Sequence, residues 1–401
     1  MKKLFIQIVA FFKKDHLPKY LVQLGLFIIW LIIFLVWAAE EVISNVVGTV
    51  VGFLFTTILL YIIKVLFAYW EDVLKVTDDT AYILDIYNGS PDYRKTLTLN
   101  DTSVTFAYAD NLVNTGYNFH VEDAPEKFFE LDEFIMNNYT AIFSAHSNSA
   151  KVNSTTIRLD DFRVEGKDCT FYLSRSTVFN HLVTNRAIDF VLFDGVSLRS
   201  VYEYGPKITP YNRSKMSNHV GINALVFLSD GRLLVPRRNN KSTISKNQIT
   251  SSIAVKLEFP RDKSEVITAE YLMRGNIIES LSSRLKIRPE DLDVSQIDIQ
   301  FLGFGQNLYE AGKPQLYYCV YLKNIDTATY FRLTEDSNIK TKLDTDKCIY
   351  AADYDSLRFD KNKLHFDVYD GAGKKSKITV VCEMSYYANL WHYEALRNSR
   401  T

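Results

Sequence analysis

Carboxylates that share one face of a helix can hold a divalent cation and orient water for the hydrolysis of a phosphate ester. The segment "ITAEYLMRGNIIESLSSRLKI" (267–287) has an apolar stripe and an Arg, and its only acids are Glu270 and Glu279. At about 100° per residue, their separation along the chain places the two side chains on opposite faces of a helix. We therefore expect no shared metal site here, and the sequence predicts neither a catalytic residue nor a cofactor.

A basic cluster offers a different chemistry, the binding of phosphate. Arg237 and Arg238 end the segment "ALVFLSDGRLLVPRR" (224–238), and Lys241 follows them. A guanidinium group binds two phosphate oxygens through parallel hydrogen bonds. The cluster is therefore a candidate phosphate site, and the alternative is a solvated group of loop charges.

Aromatic and amide side chains are candidates for contacts with the rest of a ligand. Phe304, Tyr309 and Tyr317 can stack on a planar ring, although aromatic residues in strand-like segments also form hydrophobic core. Asn185 and Arg186 lie near the end of a predicted helix. They either contact the ligand or satisfy the last carbonyl groups of that helix.

Composition limits the classes of protein that remain. A chain of 401 residues predicts two or three domains, and 14% aromatic residues with 9 Pro indicate a packed, strand-rich body. A net charge of −1 gives no global basic field, so DNA and RNA are not expected partners. The four cysteines are too widely spaced for a zinc site or a disulfide framework, and we expect small buried thiols in a reducing compartment.

Two uncharged segments near the N-terminus predict a transmembrane hairpin. The stretches 21–39 and 42–63 contain no charged residue and flank Glu40-Glu41. About 20 apolar residues cross a bilayer as a helix. One continuous helix would place both glutamates in the hydrocarbon core at a cost of several kcal/mol, whereas two antiparallel spans place them at the tip. We therefore expect residues 20–70 to form two transmembrane helices.

Lysines set the expected orientation of this hairpin. Residues 1–19 contain five lysines, and the tip contains only acids. The positive-inside rule therefore places the N-terminus and the C-terminal body in the cytoplasm, with 1–19 as a basic interfacial segment. Gly48 and Gly52 allow close approach of helices, and Asn45 can bond between them, either within one chain or between chains.

The remaining chain predicts two further domains. A β-rich domain is expected over 75–165 and a second domain over 166–401. Turn residues predict hairpins at Asn100-Asp101, Gly166 and Asp230-Gly231. The other expected elements are helices at 126–139, 174–188, 267–287 and 386–399, and strands at 251–259, 297–305 and 315–324.

The order of these elements, with "DGRLLVPRR" and "FLGFGQNLYEAGKPQLYYCVYL", resembles a Nudix domain over about residues 170–395. The Nudix box reads Gly-x5-Glu-x7-Arg-Glu-U-x-Glu-Glu-x-Gly-U, where U is aliphatic. When Ile287 is matched to the last position, Glu279 takes the place of the Arg, and Ser283 and Arg284 take the places of the two metal-binding glutamates. The resemblance therefore implies a nucleotide cleft from which hydrolysis has been lost.

The expected fold class is α+β, with an N-terminal transmembrane helical hairpin, a β-rich middle domain and a C-terminal Nudix-like α/β/α sandwich. This combination is similar to the two-transmembrane SMODS-associated Nudix effectors of bacterial anti-phage systems (CBASS). The resemblance implies that a CD-NTase synthase makes a cyclic di- or trinucleotide, which is the activating ligand. The Nudix-like domain binds it, the chains form homo-oligomers, and the hairpins disrupt the lipid bilayer of the inner membrane and kill the cell.

Two alternatives stay open at this point. The first is a membrane-anchored Nudix hydrolase of nucleoside diphosphate derivatives, with Glu258, Glu265 and Glu270 as atypical ligands of a metal ion. The second is a constitutive membrane scaffold whose Nudix-like body binds a protein. Magnesium-dependent cleavage distinguishes the first alternative, and independence of any nucleotide distinguishes the second.

Overall fold

The computed structural model describes residues 75–400 except 114–115, 145, 147–151, 193–194, 239–246, 262–264, 336–344 and 362, together with Gly52, Thr56 and Thr57. The described residues form a mixed α/β body that is rich in strands. Its strands are β1 (Arg94–Leu99), β2 (Thr102–Ala107), β3 (Ala109–Val113), β4 (Asn118–Phe128), β5 (Thr155–Glu165), β6 (Asp168–Thr177), β7 (Gly221–Leu228), β8 (Arg232–Arg238), β9 (Ile253–Lys256), β10 (Ile297–Asn307), β11 (Lys313–Leu322), β12 (Thr345–Asp353), β13 (Arg358–Asp360), β14 (Lys363–Tyr369) and β15 (Lys375–Val381).

The helices of the described residues are short except for the last one. They are α1 (Thr80–Ile86), α2 (Glu133–Asn137), α3 (Tyr139–Ser144), α4 (Val178–Val183), α5 (Leu198–Tyr202), α6 (Asn276–Leu285), α7 (Thr327–Glu335) and α8 (Met384–Asn398). A single π-helical turn, Tyr271–Gly275, runs directly into α6. Short 3-10 turns, among them Asn185–Ala187 and Leu308–Glu310, connect other elements.

The main sheet of the described residues has ten strands in the order β13-β14-β12-β8-β7-β11-β10-β3, with β15 beside β14 and β9 beside β7. The central strands β7 and β11 run parallel, and the other pairs are antiparallel. Every residue of β7 is buried, and so is nearly every residue of β11. Strands covered on both faces need such continuous apolar runs.

Alternate residues of these strands enter two separate cores. Ile222, Ala224 and Val226 of β7 pack in the core that contains Leu281 of α6. Leu225 packs on the other face, in the core that contains residues of α8, β1 and β2. Side chains alternate between the faces of a strand, so α6 covers one face of the sheet and α8 the other.

A smaller sheet, β4-β6-β5, packs on the α6 side. Its strand β6 is paired in parallel with β4 and antiparallel with β5. Arg175 of β6 and Asp123 of β4 form a buried bidentate ion pair, with Nη1–Oδ1 at 2.6 Å and Nη2–Oδ2 at 2.7 Å. The Ile267 backbone N–H donates to Asp123 Oδ2 at 2.7 Å. This pair therefore ties the small sheet to the segment that leads into α6.

A second buried ion pair holds the start of the described body. The Arg199 guanidinium pairs with Asp189 and donates to the carbonyl oxygens of Leu308 and Tyr309 at 3.1 and 2.8 Å. The Thr77 backbone N–H donates to Asp189 Oδ2 at 2.9 Å. The chain around residue 77 is thereby joined to the 3-10 turn before β11.

The structure contradicts two predictions, the fold class with a transmembrane hairpin and the multi-pass location in the inner membrane. A membrane helix needs about 20 apolar residues. Within the described part of the chain, no helix is long and apolar enough to cross a membrane, and the longest, α8, has 15 residues and packs against the sheet. The predicted spans at 21–39 and 42–63, with Asn45 and Gly48, lie outside the described residues, apart from Gly52, Thr56 and Thr57, where the Thr56 hydroxyl donates to the Gly52 carbonyl.

Two local predictions are also wrong, both because of strand pairing. Residues 126–128 belong to β4, so the helix expected over 126–139 is replaced by α2 and α3. The helix expected from 174 begins at Val178, with the Thr177 side chain as its N-cap, because residues up to 177 pair with β5. The hairpins at Asn100-Asp101, Gly166 and Asp230-Gly231 are confirmed.

Replacing Asp123 with Asn should strongly destabilise the fold. The substitution leaves the Arg175 guanidinium, 2% exposed, without a counter-charge, and removal of one partner of a buried pair costs about 3–5 kcal/mol. Urea unfolding of the full-length chain measures the loss. Glu165→Gln removes the partner of Arg163 in an exposed pair and should change little. Equal losses in the two variants would contradict this prediction.

Glu203, buried at the end of α5, predicts a pH-dependent contribution to stability. Burial raises the pKa of Glu203 to about 7. A hydrogen bond from the Thr209 N–H and the positive charge of Arg199 act in the opposite direction and lower this pKa. Because the folded state holds the proton more tightly than the unfolded state, this contribution is lost as the pH rises from about 4.5 to 7. Glu203→Gln should therefore gain stability relative to the wild type between pH 5 and 8, measured by urea unfolding. The exposed Glu122→Gln is the control, and a difference that is constant with pH would refute the assignment.

Candidate functional site

A cleft of about 510 Å³ opens between α6 and the segment that runs from β9 to Arg261. Ile253 of β9, a strand of the main sheet, packs in the same core as Leu281 of α6. The cleft contains charged, aromatic and hydroxyl side chains, and its lining residues are Val255, Lys256, Glu258, Phe259, Arg261, Tyr271, Asn276, Glu279, Ser280, Ser282, Ser283 and Arg284.

The π turn before α6 places Tyr271 at this cleft. A π turn displaces carbonyl groups from the regular helical pattern, and the Asn276 side-chain amide donates to the carbonyls of Tyr271 and Leu272. The Tyr318 hydroxyl donates to the Leu272 carbonyl at 3.0 Å. A Cβ atom on Gly275 would lie 2.7 Å from the Tyr271 ring. Glycine at 275 therefore allows the ring to pack against the helix.

Lys256 brings a positive charge to the cleft, and no described carboxylate forms an ion pair with its ammonium. Among the described residues, its ammonium has one polar partner, the Ser154 hydroxyl at 3.3 Å, and takes part in no ion pair. Burial lowers the pKa of Lys256, the nearby Glu258 carboxylate raises it, and Arg284 lowers it further. A partly desolvated ammonium in this position favours an anionic ligand.

Arg284 brings a second positive charge, and the Glu258 carboxylate lies close to it. The distance from Arg284 Nη2 to Glu258 Oε1 is 3.7 Å, which is too long for a hydrogen bond. The Glu258 side chain is 50% exposed and that of Arg284 only 19%. The guanidinium is therefore fixed in the wall of the cleft, and the carboxylate stands at its mouth.

Glu279, the second carboxylate of the cleft, is held by hydrogen bonds. Its Oε1 accepts from the Arg261 backbone N–H at 3.2 Å, and its Oε2 accepts from the Tyr271 hydroxyl at 3.2 Å. Burial raises the pKa of Tyr271, and the Glu279 carboxylate raises it further. Through the hydrogen bond from the Arg261 N–H, the Glu279 carboxylate links the loop after β9 to α6.

The structure places Ser283 and Arg284, which match the metal-binding positions of the Nudix box, in this cleft. Glu279 also lines it, whereas Glu270 does not. Within the part of the chain that the structure describes, no three His, Cys, Asp or Glu side chains are grouped as they are around a metal ion. Hydroxyl and guanidinium groups thus stand where the resemblance would require carboxylates.

The predicted basic cluster lies elsewhere. Arg238 Nε and Nη2 donate to Glu383 Oε2 at 3.1 and 3.0 Å, just before α8. Arg237 Nε donates to the Asn247 carbonyl at 3.2 Å. Lys241 lies outside the described residues. Neither arginine lines the cleft beside α6.

The predicted aromatic contacts are buried and do not converge. Phe304 lies in the α6-side core and Tyr317 in the α8-side core, where its ring stacks on His392. The Tyr309 hydroxyl accepts from the Ala107 N–H at 3.1 Å and shares a hydrogen bond with the Thr80 hydroxyl at 2.7 Å. Each ring therefore contacts other parts of the chain.

Asn185 and Arg186 are likewise engaged within the protein. The Asn185 amide donates to the Glu310 carbonyl at 2.8 Å, and its oxygen accepts from the Asn218 N–H at 2.9 Å. Arg186 pairs with the Glu310 carboxylate at 2.5 Å. Ligand contact by these eight residues stays a prediction, and the structure brings together a different set at the cleft.

Sequence reasoning missed Lys256 and Tyr271 as site residues. One signal was available, because the Nudix resemblance aligns Arg284 with a position where the box has a glutamate. Lys256 gave no comparable signal, since it approaches Arg284 only through the packing of β9 on α6.

Comparison with known proteins adds no family assignment. No family model matches the chain, and no significant match is found among curated proteins. The resemblance to Nudix effectors therefore rests on the segments "DGRLLVPRR" and "FLGFGQNLYEAGKPQLYYCVYL" and on the order of elements.

Replacing Arg238 with Ala should cost stability. The change leaves the partly buried Glu383 carboxylate, 17% exposed, without its guanidinium, a loss of about 1–3 kcal/mol. Arg237→Ala removes one hydrogen bond to an exposed carbonyl and should change stability by less than about 0.5 kcal/mol. Urea unfolding compares the two variants, and an equal loss in both would show that the Glu383 pair does not account for it.

Proposed function

We propose that this chain is a non-hydrolytic receptor for a cyclic oligonucleotide and acts as the signal-receiving effector of a bacterial anti-phage system. The observation that carries the proposal is the Lys256 ammonium, which faces the cleft without an ion pair among the described residues. A phosphate group supplies the missing negative charge.

Arg284 supports the same assignment of the cleft. Its planar guanidinium can donate two hydrogen bonds to one phosphate group. Lys256 adds a point charge from the opposite element, β9. Together the two cations suit a backbone phosphate of an oligonucleotide without an intervening metal ion.

Aromatic side chains in the cleft suit the remainder of a nucleotide. Phe259 and Tyr271 are partly buried and line the same space as the two cations. Stacking on an aromatic ring contributes about 1–3 kcal/mol per base and tolerates any base. The volume of about 510 Å³ lies within the range of small-molecule sites.

The charges of the cleft also support binding without turnover. Hydrolysis of a pyrophosphate bond in a Nudix cleft relies on carboxylates that hold divalent cations. Here a guanidinium takes one of those positions, and an ammonium faces it from β9. Both repel a divalent cation and attract the phosphate directly.

The signalling part of the proposal comes from the resemblance to SMODS-associated Nudix effectors. In such a system a CD-NTase synthase makes the cyclic di- or trinucleotide. Binding of that ligand by this chain then drives its assembly into a homo-oligomer. The bound ligand is the signal, and the cleft beside α6 is its receptor site.

Thermal unfolding of the purified full-length chain with cyclic di- and trinucleotides tests the proposal. A ligand at 100 times its Kd adds about 2.7 kcal/mol to the folded state, which is a rise of about 3 °C for a chain of this size. Lys256→Ala and Arg284→Ala should abolish the rise, and it should not require magnesium. Lys323→Ala, an exposed lysine outside this cleft, is the control. No rise with any ligand, or an undiminished rise in both cleft variants, would contradict the proposal.

A further inference from the structure

The described side chains that line the cleft carry a net charge of +1. Lys256, Arg261 and Arg284 contribute +1 each, and Glu258 and Glu279 contribute −1 each. Lys256, Arg284 and Glu258 influence one another, since Glu258 and Arg284 shift the pKa of Lys256 in opposite directions. A ligand that enters the cleft meets all three of these charges.

The two carboxylates of the cleft differ in how firmly they are held. Glu279 accepts hydrogen bonds from the Arg261 N–H and the Tyr271 hydroxyl, so it is part of the wall. Glu258 is half exposed and stands 3.7 Å from Arg284. Glu258 is therefore the carboxylate that shares the two cations with an incoming phosphate.

From this arrangement we infer that Glu258 selects the charge of the bound phosphate. This inference rests on the proposed function of the cleft. A phosphodiester carries one negative charge, which balances the net charge of the described side chains in the cleft. A terminal phosphate carries nearly two at neutral pH, and the Glu258 carboxylate offsets part of the extra attraction of its second charge to Lys256 and Arg284.

The consequence is a smaller advantage for ordinary nucleotides, whose second charge would otherwise strengthen binding. A cyclic oligonucleotide contains only phosphodiesters, whereas free nucleotides and linear oligonucleotide products end in a terminal phosphate. A repulsive group that weakens the binding of a competitor adds to specificity without any new contact to the correct ligand. Glu258 is thus a specificity-determining residue, and Lys256 and Arg284 supply the attraction.

Two base-free probes, dimethyl phosphate and methyl phosphate, test the inference without a known ligand. At pH 8 the first carries one negative charge and the second nearly two. Binding of each to the full-length chain is measured by ³¹P line broadening at constant ionic strength. The quantity compared among variants is the ratio of the two affinities.

Glu258→Gln should shift this ratio toward methyl phosphate by about fivefold or more, since one unit charge in a partly exposed site changes. Glu258→Asp keeps the charge and should keep the wild-type ratio. Glu122→Gln makes the same change of charge at an exposed carboxylate outside the cleft and should shift the ratio by less than about twofold. Urea unfolding of each variant confirms that it is folded.

The outcomes separate the two claims. An unchanged ratio in Glu258→Gln, or an equal shift in Glu122→Gln, overturns the role of Glu258 and leaves the receptor site in place. If neither probe binds the wild type, or if binding persists undiminished in Lys256→Ala, the proposed phosphate site fails, and the inference fails with it.

Discussion

The ion pair between Asp123 and Arg175 is the constraint on which the shape of the cleft depends. It joins β4 to β6 and accepts the Ile267 N–H from the segment that enters the π turn. The Arg175 guanidinium also donates to the Glu265 carbonyl and lies over the Phe259 ring, 5.3 Å from its centroid. The Arg175–Asp123 pair thus contacts Phe259 on one side of the cleft and, on the other, the segment at Ile267 that leads into the π turn.

The cleft gains its chemistry from two elements that pack against each other. A helix packed on a sheet presents one row of side chains to the cleft whatever those side chains are. Arg284 on α6 and Lys256 on β9 bring two positive charges to the cleft, and in the proposed function these charges bind phosphate directly. Glu279 contributes in another way, since its hydrogen bonds to Arg261 and Tyr271 hold the frame together.

Features governed by neighbouring residues were predictable from the sequence, and features governed by distant partners were not. Turns at Asn100-Asp101 and Gly166 follow from residues that tolerate positive φ. By contrast, residues 126–128 became strand through parallel pairing with β6. Arg238 resembled a free surface charge, because its partner Glu383 lies 145 positions along the chain. The proposed site was not predictable for the same reason, since Lys256 and Arg284 are far apart in the sequence and line one cleft only in the folded protein.

The π turn at Tyr271–Gly275 affects how this helix can be compared with others. A π turn amounts to one residue more than a regular turn contains. Positions counted back from Leu285, the last residue of α6, therefore keep their helical phase only as far as Asn276. Upstream of that point each side chain is rotated by about 100° relative to an uninterrupted helix. A motif aligned letter by letter through this segment would pair residues that point in different directions, so similarity to distant proteins is better sought by superposing the segments before and after the turn separately.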